Sequence, residues 1–278
     1  MVKIISDTTA CLPHAIKTDF NIPIIPQIIH FGEESFTEGV DIDNQTFLEK
    51  LRLSKELPKT SAPPPEMFSS IFKSHQDQNE PILCIHPSAD LSGTVRSAET
   101  AKLNFPELDI AVIDTRLVAS PLGIVVHQAA LWNKKGLPAA EIQQRITDLS
   151  KRGKIYFLVA TLDFLARGGR IGGASALLGN ALQVKPILTL VDGKVEPYSK
   201  ERTFSKALNH LKSLVLSEYP IHHDGHMTIM HADNQSLAEE LSFFFIDRLK
   251  ILPPVISSLP PAIITHAGPG SIAVGFFS

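Results

Sequence analysis

Three short segments gather hydroxyl, imidazole and backbone donors at turns: Thr60-Ser61, Leu91-Ser92-Gly93-Thr94 and His266-Ala267-Gly268-Pro269-Gly270. Gly and Pro punctuate them, so a ligand can approach the backbone without meeting a side chain. Taken together they read as three parts of one carboxylate clamp. Ser92-Gly93-Thr94 follows the apolar run 82–85 by a short loop and opens a helical pattern. Free N–H groups and the positive end of a helix dipole then face the space above the strand end, which suits an anion. The plainer alternative makes Ser92 an ordinary helix cap and His266 a structural histidine, and spacing alone leaves both readings open.

The same residues admit a different chemistry, that of a serine hydrolase with Ser92 or Ser61 as nucleophile and His266 as base. Against it, the chain has no Gly-x-Ser-x-Gly elbow, and a serine that hydrogen-bonds a carboxylate needs no activation. Gly168-Gly169-Arg170-Ile171-Gly172-Gly173 lacks the Gly-x-Gly-x-x-Gly spacing of a dinucleotide loop, and no Walker A segment is present. Arg170 and Arg202, with Arg167, Lys185 and Lys200, offer a basic surface. His222, His223, His226 and His231, with Asp224 and Asp233, raise the question of a metal, but their spacing fits no zinc pattern. No metal and no cofactor are expected.

The elements that position these groups can be read from periodicity. Short, β-branched apolar runs at 2–5, 82–85, 110–113, 157–160, 227–230 and 262–265 predict buried strands. His266 accordingly sits at a strand end. Between the runs lie helical patterns: Val95, Ala98 and Ala101 on one stripe, a helix over 66–72 after Pro63-Pro64-Pro65, and a buried helix within 117–133. Ser236-Leu237-Ala238-Glu239 has capping-box form ahead of Leu241, Phe244 and Phe245. This alternation predicts an α/β fold with a largely parallel sheet in the first half. A charged helix end meeting a strand near Lys151-Arg152-Gly153-Lys154 places a domain boundary there, dividing residues 1–152 from 153–278.

Composition sets bounds. The chain has 278 residues, 44% of them hydrophobic, which is ample for a sizeable core. A formal charge of −3 gives no overall basic footprint for nucleic acid. The two cysteines, Cys11 and Cys84, read as small buried hydrophobes in a reducing compartment. The sequence opens on a short apolar run without signal-peptide form, and no stretch is long and apolar enough to span a bilayer. A cytoplasmic location is expected.

From end to end the chain also resembles the DegV family of bacterial fatty-acid-binding proteins. The likeness is carried in family order by Ser6-Asp7-Thr8-Thr9-Ala10-Cys11-Leu12-Pro13, Phe31-Gly32-Glu33-Glu34, Gly39-Val40-Asp41-Ile42 and Pro58-Lys59-Thr60-Ser61. Leu91-Ser92-Gly93-Thr94, Leu165-Ala166-Arg167-Gly168-Gly169-Arg170-Ile171, Lys185-Pro186-Ile187-Leu188, Glu201-Arg202-Thr203 and the His266 motif complete it. The resemblance implies two α/β domains with the lipid between them. It also implies a clamp on the fatty-acid carboxylate formed by Thr60, Ser61, Ser92, Gly93 and His266, with Ser61 the preferred ligand, and a surface at Arg170 and Arg202 that meets a fatty acid kinase. On this reading the chain is a carrier for a separate ATP-dependent kinase and not itself an enzyme. A lipid-responsive regulatory adaptor is the third reading. Thr8, Ala62, Pro87 and Pro121 depart from the usual family residues and border the expected pocket.

Overall fold

The computed structural model describes residues 1–78, 80–178, 184–220 and 225–278. The chain starts with β1 (Lys3–Asp7), α1 (His14–Asp19), β2 (Ile24–Ile25), β3 (Ile28–Phe31) and β4 (Glu34–Thr37). There follow α2 (Asn44–Leu53), β5 (Lys59–Ser61), α3 (Pro65–Ser74), β6 (Ile82–His86), α4 (Thr94–Lys102) and β7 (Ile110–Asp114). Two longer helices, α5 (Ala119–Lys134) and α6 (Ala139–Arg152), lead into β8 (Gly153–Leu158) and α7 (Asp163–Arg167). The chain then runs through β9 (Lys185–Val191), β10 (Lys194–Glu201), α8 (Phe204–Glu218), β11 (Thr228–His231), α9 (Gln235–Leu249), β12 (Val255–Ser258), α10 (Pro261–Ala267) and β13 (Ile272–Phe277).

Period-two alternation explains the first sheet, which is parallel throughout in the order β2-β1-β6-β7. Ile82 and Cys84 point to one face with Ile5, where Phe68 and Phe72 of α3 and Ala98 and Ala101 of α4 cover them. Leu83 and Ile85 point to the other with Ile4, against Leu122, Val125 and Val126 of α5 and Ile142 and Ile146 of α6. Both faces are buried, so the strands read as continuous apolar runs.

The second sheet, β10-β9-β8-β13-β11-β12, is built wholly from strands after residue 152; its pairs are antiparallel except β11 with β12. One face carries Tyr156, Leu158, Ile229 and Val274 onto α8 and α9. Ile155, Met230 and Ala273, on alternate positions, turn the opposite way and join a cluster with Ile29, Phe47, Ala119, Leu259 and Ala262. This cluster links the two halves of the chain. A third, small sheet, β4-β3-β5, lies at its edge.

Three expectations are corrected. The run 262–265 forms helix α10 and not a strand, because Pro260 at the N-cap and Pro261 at the first helical position favour a helix start, and Gly268, with φ +79°, stops it. The α9 N-cap is Asn234, so Ser236 lies inside the helix and makes no capping box. The strand expected at 157–160 is centred earlier, as β8. No helix among the described residues is long and apolar enough to cross a membrane.

Candidate functional site

A cavity with about 970 Å³ of empty space, part of it open to solvent, lies where the bridging cluster fails to close. Its body is apolar: Val118 and Ala119 at the start of α5, Ile155 and Phe157 of β8, Leu190, Met230 and Ala273 from the second sheet, and Leu259, Ala262 and Ile263 at the entry to α10. One end is polar and contains Thr9, Gln27, Thr60, Ser92, Gly93, Arg170 and His266. Four of the five clamp residues expected from sequence therefore converge.

Strand parity decides the fifth. In the antiparallel pairing of β3 with β5, Thr60 sits opposite Ile29 and Ser61 opposite Ile28. Ile29 is fully buried in the bridging cluster, so its register partner Thr60 shares the inward face. Ser61 belongs to the outer face, where its Oγ pairs with His30 Nε2 at 2.8 Å. Ser61, the ligand preferred from sequence, is therefore absent from the described cavity lining, and Thr60 is the member of the pair that lines it.

His266 lies in the last turn of α10, not at a strand end. Its Nε2 pairs with Thr60 Oγ1 at 2.8 Å, while Nδ1 is buried without a hydrogen-bond partner. Burial first, and the nearby Arg170 guanidinium second, push its pKa down to about 4. The ring is therefore neutral near neutral pH and acts as a hydrogen-bonding group without charge. Gly168 makes room for it, since a Cβ there would stand 2.1 Å from Nδ1.

Arg170 was expected on a partner surface, and the structure places it in the cavity wall. Its Nε donates to Leu91 O at 3.0 Å and its Nη1 to Gly168 O at 2.6 Å, so the turn after α7 folds the side chain back onto the loop that carries Ser92. It is the one charged side chain among the described lining residues. No spacing rule signals this, because backbone carbonyls hold the guanidinium. Arg202, by contrast, is exposed just beyond β10.

Ser92 precedes the Gly93 N-cap of α4. Its Oγ pairs with Thr94 Oγ1 at 2.8 Å and accepts from Thr94 N at 3.3 Å. Thr94 Oγ1 in turn receives Gln27 Nε2 at 3.0 Å, and the same amide nitrogen reaches Asp7 Oδ1 at 3.2 Å. Asp7 is fully buried and also takes His86 Nδ1 at 2.8 Å on Oδ2. A continuous polar chain thus holds the α4 entrance from behind. Sequence reading did not single out Gln27 or His86; an isolated Gln in an Ile-Pro-Gln-Ile-Ile run and a His after four apolar residues were the available signals.

The opposite wall is pinned through the β9–β10 turn. Ser88 Oγ donates to Gly193 O at 2.8 Å, and Arg116 Nη1 reaches both Asp192 O and Asp90 Oδ2. Leu190 and Val195, which flank that turn, are held over the cavity. Among the described residues no cluster of three or more His, Cys, Asp or Glu has metal-site geometry; His222, His223 and Asp224 lie outside the described residues.

These features define an α/β protein with one parallel and one mixed sheet and a largely apolar cavity whose polar residues gather around one arginine. The chain belongs to the DegV family: the profile described as "Uncharacterised protein, DegV family" matches residues 1–278. It is 31% identical over 281 residues to a DegV domain-containing protein of Clostridium acetobutylicum, covering 100% of this chain and 98% of that one. Among solved structures, a fatty-acid-binding DegV family protein of Streptococcus agalactiae matches with a TM-score of 0.92 at 29% identity, covering 100% and 98% of the two chains. A Thermus thermophilus DegV family protein, described by its fatty acid binding, matches with a TM-score of 0.91 at 27% identity, covering 100% and 99%.

Proposed function

We propose that this protein binds one long-chain fatty acid, burying the acyl tail in the apolar cavity and holding the carboxylate at the polar end. The observation that carries this is the composition of the wall, an apolar body closed by hydroxyls, a neutral imidazole and one arginine. The tail supplies affinity. At about 0.8 kcal/mol per buried CH₂, roughly a dozen methylenes contribute on the order of 10 kcal/mol before the entropy of association is subtracted. The polar end supplies orientation, with Thr60, Ser92, the Gly93 N–H and His266 as donors and Arg170 as counter-charge.

The carboxylate is then offered to a separate ATP-dependent fatty acid kinase, which transfers the γ-phosphoryl group to a carboxylate oxygen and leaves acyl phosphate and ADP. The exposed Arg202 belongs to the surface that meets this partner, and residues 1–152 and 153–278 are two domains that share the lipid. The hydrolase reading gains no support from the geometry, since Ser92 pairs with Thr94, Ser61 with His30, and His266 with Thr60. Native mass spectrometry of freshly purified protein tests the proposal. A one-to-one fatty acid, weakened in Ser92→Ala, supports it; an empty protein that refuses added palmitate and oleate refutes it. Acyl phosphate formed by the purified protein alone from ATP would refute the carrier role.

A further inference from the structure

A buried carboxyl group outside the polar end meets the start of the helix that carries His266. Glu38 follows β4 and is 3% exposed, with its backbone N–H on Gln27 O at 3.0 Å. Its Oε1 accepts from Ala262 N at 2.6 Å, across 224 positions of sequence. Ala262 is the first residue of α10 able to donate a backbone hydrogen, because Pro260 and Pro261 have none. The next two amides, of Ile263 and Ile264, are already bound to Pro260 O. Glu38 thus satisfies the one orphan donor at the buried start of this helix. The same short helix carries Ala262, Ile263, His266 and Ala267 into the cavity wall. At its other end Ser271 Oγ bonds Ala267 O and Gly268 O.

We propose that Glu38, in its uncharged form, is the positioning residue of the lipid site: it seats α10 and thereby fixes His266 against Thr60. The proposal rests on the reading of the cavity as a fatty-acid site. Glu38 Oε2 is buried without a partner at hydrogen-bond distance, so burial works against placing charge on it. On ionisation the chain must admit water or shift the start of α10, the helix that carries His266. Burial pushes the Glu38 pKa up to about 7, the Thr8 hydroxyl and the Ala262 N–H oppose this, and Asp7 adds to it. Asp7 and the Cys11 thiol face this carboxyl; the thiol is itself raised by burial, then by Glu38 and Asp7. Asp41, on the following turn, is exposed and accepts from Thr37 N. Because the raised group loses its proton as pH climbs through about 7, ligand retention is fullest below that point and falls above it.

The test compares wild type, Glu38→Gln and Glu38→Ala in binding cis-parinaric acid, a naturally fluorescent long-chain fatty acid, from about pH 6 to pH 8. Glu38→Gln keeps an acceptor for Ala262 N–H without the titration. The expected result is that wild type weakens by about threefold or more across that range relative to Glu38→Gln, and that Glu38→Ala is weaker by about tenfold at the acid end. Superimposable pH profiles for wild type and Glu38→Gln overturn the proposal, as does a Glu38→Ala protein that binds like wild type. If Glu38→Ala does not fold, the first comparison still decides. A second readout needs no ligand: the ¹⁵N shifts of the His266 ring, assigned through a His266→Gln variant, move in Glu38→Ala and hold in Glu38→Gln. If not even wild type binds the probe, the fatty-acid reading fails, while the ring shifts still decide whether Glu38 positions His266.

Discussion

Thr60 Oγ1 and His266 Nε2 lie 2.8 Å apart although 206 positions separate them, so the polar end of the cavity exists only when the β3–β5 edge and α10 are packed together. One group of the pair donates to the other, so the two act as one unit. His266→Ala and Thr60→Val should each weaken long-chain fatty acid binding by about tenfold, or ~1.4 kcal/mol. The double variant should lose less than the sum, as partners in one hydrogen bond do. Calorimetric titration of the four proteins with oleate checks this, and strict additivity would mean that the two residues act independently.

Strand parity makes a sharper statement. Ser61→Ala should bind fatty acid as wild type does, because its hydroxyl serves His30 on the outer face, whereas Ser92→Ala should bind several-fold more weakly. Displacement of a fluorescent fatty acid separates the two. A Ser61→Ala protein that loses affinity while Ser92→Ala keeps it would invert the assignment.

How far the sequence foretold this site depends on the kind of contact. Ser92-Gly93-Thr94 was legible because an apolar run, a turn and a helical stripe occur in order, and that order alone places backbone donors above a strand end. The choice between Thr60 and Ser61 was not, since β5 has three residues and its parity comes from pairing with Ile28–Phe31. The Ile-Ile-Thr run before His266 favoured a strand by β-branching. Two prolines before it and a glycine after it carried the stronger helical signal. Arg170 and Glu38 were opaque for a shared reason: each is defined by a backbone atom supplied from far along the chain, Leu91 O in one case and Ala262 N in the other.

Gly168 offers a probe of the imidazole's seat. A Cβ at this position would stand 2.1 Å from His266 Nδ1 and 3.0 Å from Phe164 O, a backbone atom that cannot swing aside. Gly168→Ala should therefore displace the ring, weaken fatty-acid binding by about tenfold and cost about 1–3 kcal/mol of stability. Urea denaturation together with ligand titration measures both effects. Unchanged affinity would show that the ring's position does not matter to the ligand.

The pH dependence of stability should expose two buried groups with opposite signs. His266 is held at about 4 against an ordinary 6.5, so the unfolded chain binds its proton first as pH falls. Its contribution is complete above about 6.5 and is lost as pH falls towards 4. Glu38 is held at about 7 against an ordinary 4.5, so the folded chain keeps its proton longer. Its contribution is complete below about 4.5 and is lost as pH rises through 7. Between those limits the two slopes oppose each other, each at most ~1.4 kcal/mol per pH unit, and the wild-type curve hides both. Replacing one unmasks the other. Relative to wild type, Glu38→Gln should gain stability with rising pH across the interval, and His266→Gln should lose it. Urea midpoints taken at half-unit steps across that interval read the difference directly, and two flat difference curves would show that neither group titrates as its surroundings require.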